Sequence, residues 1–313
     1  MLSTKYVLLD WIDKNKLNWY MLSKNPNAID LLEENYDNID WENLCSNPNA
    51  IDLLKERIKY EKTLYDSGEL YTLNEDKIDW VSLSKNPNAI KILKDRIKYE
   101  NSLDDDDDDY DDYDDDDNRI DWQFLSENPN AIDLLKDNPN KINWNKLSAN
   151  PNAIDLLENN KDKIDWDNLC LNPNAINLLL SNENEIYWES LSQNPNAIKL
   201  LKKRIQFENT LTEEEYTNLS DSKKIYWSWL SENSNAINLI KDNLDKVDWI
   251  SLCSNPNAIH LLENNLDKIN WFSLCLNPNA IHLLENNLDK VDWYILSTNK
   301  NAIDILKNNQ HKI

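Results

Sequence analysis

Four cysteines are the first residues of this chain that could act as nucleophiles or metal ligands. They are Cys45, Cys170, Cys253 and Cys275, and each follows a tryptophan by four residues. Equivalent segments of the chain have serine at this position. A position that accepts either residue calls for a small side chain in a packed seam rather than a metal ligand. The chain has no CxxC pair, so we predict neither a metal site nor a disulfide framework.

The histidines are the other candidates for acid–base or metal chemistry. His260 and His282 share one position, directly after Ala-Ile, where other segments have Asp, Asn or Lys. This pattern predicts a solvated row rather than a two-histidine metal site. His311 lies near the end of the sequence, so no Ser-His-Asp or Cys-His constellation can be assembled. We expect no catalytic residue, no cofactor and no enzymatic activity.

The composition narrows the possible partners. The only glycine is Gly68, which excludes glycine-rich phosphate loops of the Rossmann or Walker type. The formal net charge is −24, so nucleic-acid phosphate would be repelled and we expect no direct nucleic-acid binding. No apolar stretch is long enough for a membrane helix, and the N-terminal residues lack a signal-peptide pattern. We therefore expect a soluble, intracellular protein that is not secreted.

The elements that position these residues follow from a 22-residue repeat. Eleven tryptophans recur at this spacing, interrupted by gaps of 39, 42 and 39 residues. Such self-similarity is typical of a solenoid. The repeat tryptophans are Trp19, Trp41, Trp80, Trp122, Trp144, Trp166, Trp188, Trp227, Trp249, Trp271 and Trp293.

The pattern within each repeat predicts two short helices. Asp40 is placed to cap a first helix, and the spacing of Trp41, Leu44 and Cys45 puts them on one helical face. Asn47 followed by a proline predicts the start of a second helix, with Asn at the N-cap. We therefore predict an all-α solenoid of about eleven two-helix repeats. A leucine-rich-repeat solenoid is the alternative, although its strand requires Leu-x-Leu alternation.

Two asparagines, which flank the usual proline, occur in all eleven repeats. The first of these is Asn47 in the repeat of Trp41, and the second is Asn49. We expect the first to cap the second helix and the second to bond a neighbouring turn, which builds a ladder of satisfied amides. Most repeat tryptophans are preceded, three positions earlier, by a basic residue such as Lys268. We expect this row either to offset the charge of nearby acidic residues or to bind an anionic partner.

Three insertions, near residues 55–77, 94–119 and 202–224, interrupt the period and begin alike. They follow corresponding helices, so we expect them to project from the same edge as extended helices or flaps. This edge is the candidate site for a protein partner; the alternative is a longer repeat that packs on itself. The candidate residues are Arg57, Tyr60, Arg96, Tyr99, Arg204 and Phe207.

The second insertion carries an acidic run. Twelve aspartates lie within residues 104–117, and Asp104, Asp109, Asp114 and Asp117 mark the candidate acidic patch. Mutual repulsion predicts disorder here. The run could attract a basic protein surface or weakly gather divalent cations, but it lacks the Gly and Glu pattern of a defined calcium loop.

The same period predicts a role for each end of the sequence. We expect residues 1–313 to form a single solenoid, with residues 5–18 as a degenerate N-terminal capping half-repeat. The sequence stops where the next Asp-Trp would begin, without an evident polar cap. That end is expected to fray, to self-associate or to be covered by a partner.

The segments Trp249–Leu262 and Leu266–Trp271 resemble the 22-residue Asn-Pro-Asn-Ala-Ile/Trp repeat proteins of mimivirus-like giant DNA viruses. The resemblance covers nearly the whole chain and implies a viral origin, in the host cytoplasm or in the virion, but no activity. Our first hypothesis is a non-enzymatic scaffold that binds a host or viral protein through its concave face or its inserted edge. An acidic mimic of nucleic acid, bound by a basic DNA-binding protein, and a structural virion component are the alternatives.

Overall fold

A computed structural model of the chain describes residues 7–69, 77–102 and 119–312. All regular structure in these ranges is α-helix or 3-10 helix, and the helices recur with the tryptophan repeat. This confirms the predicted α-solenoid. The leucine-rich-repeat alternative is wrong for these ranges, because they contain no strand.

The chain divides into two compact units, Met1–Leu157 and Glu158–Ile313. Five repeat tryptophans lie in the first unit and six in the second. The expectation of one continuous solenoid stays a prediction, and each unit is described by itself.

The first helix of every repeat begins at its tryptophan. A preceding Asp or Asn caps most of these helices, as predicted: the Asp40 carboxylate accepts the Asn43 N–H at 2.9 Å. Tyr187 and Tyr226 hold this position in two repeats and supply no side-chain cap. The first helices are Trp19–Lys24, Trp41–Leu44, Trp80–Lys85, Trp122–Glu127, Trp144–Ser148, Trp166–Leu171, Trp188–Leu191, Trp227–Glu232, Trp249–Ser254, Trp271–Leu276 and Trp293–Leu296.

The second helix begins at the isoleucine of Asn-Pro-Asn-Ala-Ile, three residues later than predicted. Asn86 has extended backbone angles, φ −71° and ψ 113°, and its carbonyl accepts the Ala89 N–H at 3.2 Å, which closes a turn. The prediction that the first asparagine caps the second helix is therefore wrong in this repeat, where Ala89 is the N-cap. The second helices are Ile29–Glu33, Ile51–Asp66, Ile90–Glu100, Ile132–Asp137, Ile154–Glu158, Ile176–Leu180, Ile198–Glu208, Ile237–Lys241, Ile259–Glu263, Ile281–Glu285 and Ile303–Asn308.

Short 3-10 turns and one extra helix complete the described elements. Most of the turns lead from a second helix to the next repeat tryptophan, and the extra helix, Glu213–Asn218, belongs to the third insertion. The 3-10 turns are Lys14–Lys16, Tyr36–Asn38, Pro139–Lys141, Lys161–Lys163, Glu183–Glu185, Asp221–Lys223, Ser234–Ala236, Leu266–Lys268 and Gln310–Lys312.

Stacking of neighbouring repeats forms the core of each unit. In the second unit the first helix at Trp249–Ser254 packs against those at Trp227–Glu232 and Trp271–Leu276. Leu252 and Leu262, from the two helices of one repeat, are fully buried. Helices of four to six residues are not stable alone in water, so these contacts between repeats must supply their stability.

The three insertions differ from the other repeats mainly in their second helices. Ile51–Asp66 has 16 residues, and Ile90–Glu100 and Ile198–Glu208 have 11 each, against five or six elsewhere. The expectation of extended helices is confirmed for the described parts of the insertions. Residues 70–76 and the acidic run, with Asp104, Asp109, Asp114 and Asp117, lie outside the described residues.

The N-terminal stretch contains only part of the half-repeat that we expected. Its turn is present at Lys14–Lys16, at the place where other repeats have a 3-10 turn before tryptophan. Residues 7–13 form no α-helix, so the described part lacks the helical portion of a second-helix cap. A capping role for the stretch stays a prediction. None of the helices in the described ranges combines the length and apolar composition needed to cross a membrane.

Candidate functional site

The Ser/Cys position joins one repeat to the next through hydrogen bonds. The Ser84 hydroxyl donates to the Trp80 carbonyl at 2.7 Å and accepts the Asp121 N–H at 3.2 Å. Where cysteine replaces serine, the Cys253 Sγ accepts the Asn270 N–H at 3.3 Å. Sequence reasoning predicted the small buried side chain but missed this bond. The signal was present, because Ser and Cys share both small size and the ability to accept a hydrogen bond.

The four thiols are poorly suited to nucleophilic attack. All four are buried. Burial raises their pKa values, that of Cys170 to about 12, so they stay protonated near neutral pH. The four Cys positions therefore serve stacking in this structure.

The asparagine ladder also holds the repeats together. The Asn255 Nδ2 donates to the Ser231 carbonyl at 2.8 Å and to the Asn233 carbonyl at 3.2 Å, both in the preceding repeat. Its Oδ1 accepts the Asn257 N–H at 2.9 Å, and the Asn257 Nδ2 donates to the Ser234 carbonyl at 2.9 Å. The prediction that the second asparagine bonds a neighbouring turn is confirmed here. The first asparagine makes such bonds as well.

The histidine row is exposed, as predicted. The His282 Nε2 lies 2.7 Å from the Glu263 Oε1, and the His260 Nδ1 lies 3.8 Å from the other oxygen of the same carboxylate. Across the described ranges no three His, Cys, Asp or Glu side chains form a group that could hold a metal ion.

The six candidate edge residues belong to an arrangement that we call the arginine bracket. In the first long helix the Arg57 guanidinium carbon lies 4.7 Å from the Trp41 ring centroid and 5.7 Å from that of Tyr60. The Arg57 Nε donates to Glu61 at 3.0 Å. Glu61 in turn accepts the Ile78 N–H at 2.9 Å, which ties the chain that enters the next repeat to the helix.

The second long helix contains the same bracket. The Arg96 guanidinium carbon lies 4.7 Å from the Trp80 ring centroid and 5.2 Å from that of Tyr99. The Arg96 Nε donates to Glu100 at 2.7 Å. Glu100 accepts the Ile120 N–H at 3.1 Å. The two brackets thus share both their residue spacing and their hydrogen bonds.

The third bracket lies in the second unit. The Arg204 guanidinium carbon lies 5.2 Å from the Trp188 ring centroid and 4.8 Å from that of Phe207. The Arg204 Nε donates to Glu208 at 3.1 Å, and Glu208 accepts the Ile225 N–H at 2.9 Å. Burial raises the pKa of Glu208, while the Ile225 amide and the Arg204 guanidinium act in the opposite direction.

In regular repeats a lysine covers the tryptophan instead. The Lys268 ammonium lies 4.6 Å from the Trp249 ring centroid, and the Lys290 ammonium lies 4.7 Å from that of Trp271. These are the basic residues found three positions before the next tryptophan. They make cation–π contacts within the array, which are worth about 0.5–1 kcal/mol at exposed sites. The bracket arginines make the equivalent contact from another position in the sequence.

The bracket separates the six candidates into an inner and an outer set. Arg57 is buried, and Arg96 and Arg204 are half-buried, so the guanidinium groups serve internal contacts. The three rings point outward: Tyr60 is 48% exposed, Tyr99 47% and Phe207 46%. Each long helix therefore exposes one aromatic ring to solvent, and an arginine contacts the same ring from within the repeat.

The third insertion adds a cleft that sequence reasoning missed. Its volume is 510 Å³, and its walls include the rings of Tyr216, Tyr226 and Trp227. Glu189 and Asp221 line it, together with Lys224 and Lys246. The sequence signal that could have indicated this cleft was the Thr212-x-x-Glu215 capping box. It marks the start of the extra helix, which contains Tyr216.

Comparisons of the chain with family models, with curated proteins and with solved structures find no match.

Proposed function

We propose that this chain is a non-enzymatic scaffold that binds protein through the exposed aromatic rings of its long second helices, two in the first unit and one in the second. The observation that carries the proposal is the repeated presentation of Tyr60, Tyr99 and Phe207 at equivalent positions, each about half exposed. The buried Asn and Ser/Cys rows, by contrast, are occupied by contacts between repeats.

The chemistry of the bracket suits binding. Aromatic side chains provide large contact areas and are enriched among the residues that dominate interface energies. A ring whose rotamer is already held by a guanidinium loses less entropy on binding than a free one. Tyr60 and Arg57 lie 5.7 Å apart, ring centroid to guanidinium carbon, and the two other brackets repeat this support.

The charge of the chain favours a basic partner. The net charge of −24 attracts a basic surface over long range and raises its association rate at low salt. In the third insertion, the cleft combines the carboxylates of Glu189 and Asp221 with aromatic walls. The chain's own Lys224 and Lys246 lie over the Tyr216 and Trp227 rings of this cleft, so we assign the basic partner to the exposed rings of the long helices and not to the cleft.

The proposal is tested by comparing two triple variants as baits. The edge variant carries Tyr60→Ala, Tyr99→Ala and Phe207→Ala. The control variant carries Tyr20→Ala, Met21→Ala and Leu276→Ala, which removes similarly exposed large side chains from first helices. The resemblance to giant-virus repeat proteins makes cells infected by such a virus the source of partners.

We expect the wild type and the control variant to retain the same proteins in quantitative mass spectrometry, and the edge variant to lose at least one of them. Chemical cross-links from that protein should map to the long helices. Circular dichroism must show equal helicity for all three baits. If the edge variant keeps every partner with unchanged cross-links, the edge is not the binding site.

A further inference from the structure

The residue directly after each repeat tryptophan forms an exposed row in the last three repeats. These residues are Ile250, Phe272 and Tyr294, with exposed fractions of 60%, 52% and 82%. Their first helices, Trp249–Ser254, Trp271–Leu276 and Trp293–Leu296, pack side by side in sequence order. The three apolar side chains thus lie on consecutive helices at one repeat position.

The repeats themselves act as a control for this position. Six of the other eight repeats place a polar residue here: Glu42, Gln123, Asn145, Asp167, Glu189 and Ser228. Since the same helix packs in the same way with either kind of residue, the fold does not require an apolar side chain at this position. The three apolar residues therefore need another explanation.

A second apolar row occupies the same three repeats. Leu244, Leu266 and Leu288 stand five residues before their tryptophans, and each is exposed. In an earlier repeat the equivalent Tyr36 contacts the Trp41 ring edge-on, with 5.2 Å between centroids. By analogy with this contact, we infer that each leucine of the second row lies beside its own tryptophan, the residue that precedes a side chain of the first row. We call the six side chains the apolar double row.

The size and charge of the apolar double row fit one kind of occupant. Given that one aromatic side chain carries roughly 150–250 Å², the six partly exposed residues present on the order of 600 Å². A standard protein interface uses about 800 Å² per partner, so this row and a narrow rim would suffice. Residues 243–312 carry eight acidic and six basic side chains, so the region around the row is nearly neutral although the chain carries −24.

We propose that the apolar double row binds a second copy of this chain in a two-fold symmetric dimer. A two-fold interface requires a self-complementary patch. Three side chains in line meet this requirement when the copies lie antiparallel: Phe272 packs on the partner subunit's Phe272, and Ile250 faces the partner subunit's Tyr294. The near-neutral surroundings allow two copies of an acidic protein to approach at this face.

The apolar double row differs from the uncapped C-terminal end, which the sequence analysis names as a possible site of self-association. The apolar double row runs along the sides of three repeats, and the last carbonyls of the array take no part in it. Its association should depend on apolar contact, so we expect it to persist at high salt, unlike binding of a basic partner to the edge.

The first test measures the mass of the full chain in solution by sedimentation and light scattering. We expect the wild type to reach twice the mass of one 36.9 kDa chain as its concentration rises. Phe272→Glu should remain at the mass of one chain, because it places two carboxylates at the symmetry axis. Gln123→Glu adds the same charge at the same repeat position and should dimerise like the wild type.

The second test locates the symmetry axis. In a Phe272→Cys variant treated with a short bis-maleimide, we expect a covalent dimer, while the buried native cysteines stay unmodified. Gln123→Cys should give none. A wild type that stays at one-chain mass at every concentration, or a Phe272→Glu variant that still doubles its mass, would overturn the proposal.

Discussion

Every repeat after the first contains a buried asparagine at the first Asn of its motif, and Asn255 shows how one such side chain makes three hydrogen bonds. In Asn255 the oxygen accepts a backbone N–H of its own turn, and the nitrogen donates to two carbonyls of the preceding repeat. Only a primary amide combines one acceptor and two donors at this short length. Aspartate keeps the acceptor but lacks the donors, and glutamine has a longer side chain. The recurrence of this asparagine therefore has a direct physical cause in every repeat that stacks on a preceding one.

Asn255→Asp is therefore expected to lower the free energy of unfolding by about 2–4 kcal/mol at neutral pH, because a buried carboxylate would face two carbonyl oxygens. Asn257→Asp is the matched control; its side chain is exposed and makes one bond to the preceding repeat, so we expect a loss of about 1 kcal/mol. Urea denaturation of the full chain measures both.

The pH dependence of Asn255→Asp distinguishes its cause. A protonated acid can donate to one carbonyl, so the folded state raises the pKa of this new carboxyl above its unfolded value. The folded variant then binds the proton more tightly than the unfolded chain, and its stability relative to wild type rises as pH falls. Equal losses in the two Asp variants, without this recovery at low pH, would contradict the role of the buried amide.

The sequence predicted some of these roles and missed others. Recurrence identified Asn255 and Asn257 as structural, and the interchange of Ser and Cys identified a packed seam. The assignment of Asn86 to a helix N-cap was wrong, because an Asn-Pro signal starts either a helix or a turn. Whether this signal starts a helix or a turn depends on hydrogen bonds to carbonyls of the preceding repeat. These bonds form only where two repeats stack, so the sequence of one repeat does not show them.

At the scale of elements, the arginine bracket shows how a longer second helix fits the array. The bracket glutamate holds the backbone that enters the next repeat, so the insertion leaves and rejoins the stack at a fixed point. The shared Arg-Ile-x-aromatic-Glu pattern was visible in the sequence and predicted similar helices. The sequence did not predict that Arg204 stacks on Trp188. In regular repeats a lysine covers the equivalent tryptophan ring from a different sequence position, and spacing alone does not show that the two side chains reach the same place.

Glu208→Ala is expected to destabilise the second unit by about 3–5 kcal/mol, because it leaves the half-buried Arg204 guanidinium without its carboxylate. It also removes the acceptor for the Ile225 N–H, so hydrogen exchange at Ile225 should become faster. Asp221→Asn is the control: its ion pair with Lys224 is exposed and should contribute under about 1 kcal/mol. Similar effects of both substitutions would refute a special role for the bracket.

At the scale of the whole molecule, the 22-residue period determines which parts can replace one another. The sequence predicted the period, the helical class and the positions of the interruptions, since each is a local pattern repeated many times. It did not predict the division into two compact units, the cleft at Tyr216 or the late start of the second helices. These features depend on contacts between segments that are distant in sequence, and periodicity alone does not encode them.

Deletion of residues 249–270 tests whether the ladder alone sets the phase of the array. It removes one repeat and joins Asp248 to Trp271, so an Asp still precedes the tryptophan and can cap its helix. The Asn277 amide then meets the Ser231 and Asn233 carbonyls that Asn255 used before. Because repeat stability is roughly a sum of neighbour terms, we expect unchanged helicity per residue and a free energy of unfolding that falls by only a few kcal/mol.

Deletion of residues 249–259 is the control. It removes half a repeat, leaves the Ser231 and Asn233 carbonyls without a matching amide, and should abolish cooperative unfolding of the second unit. If both deletions unfold alike, the ladder does not set the phase.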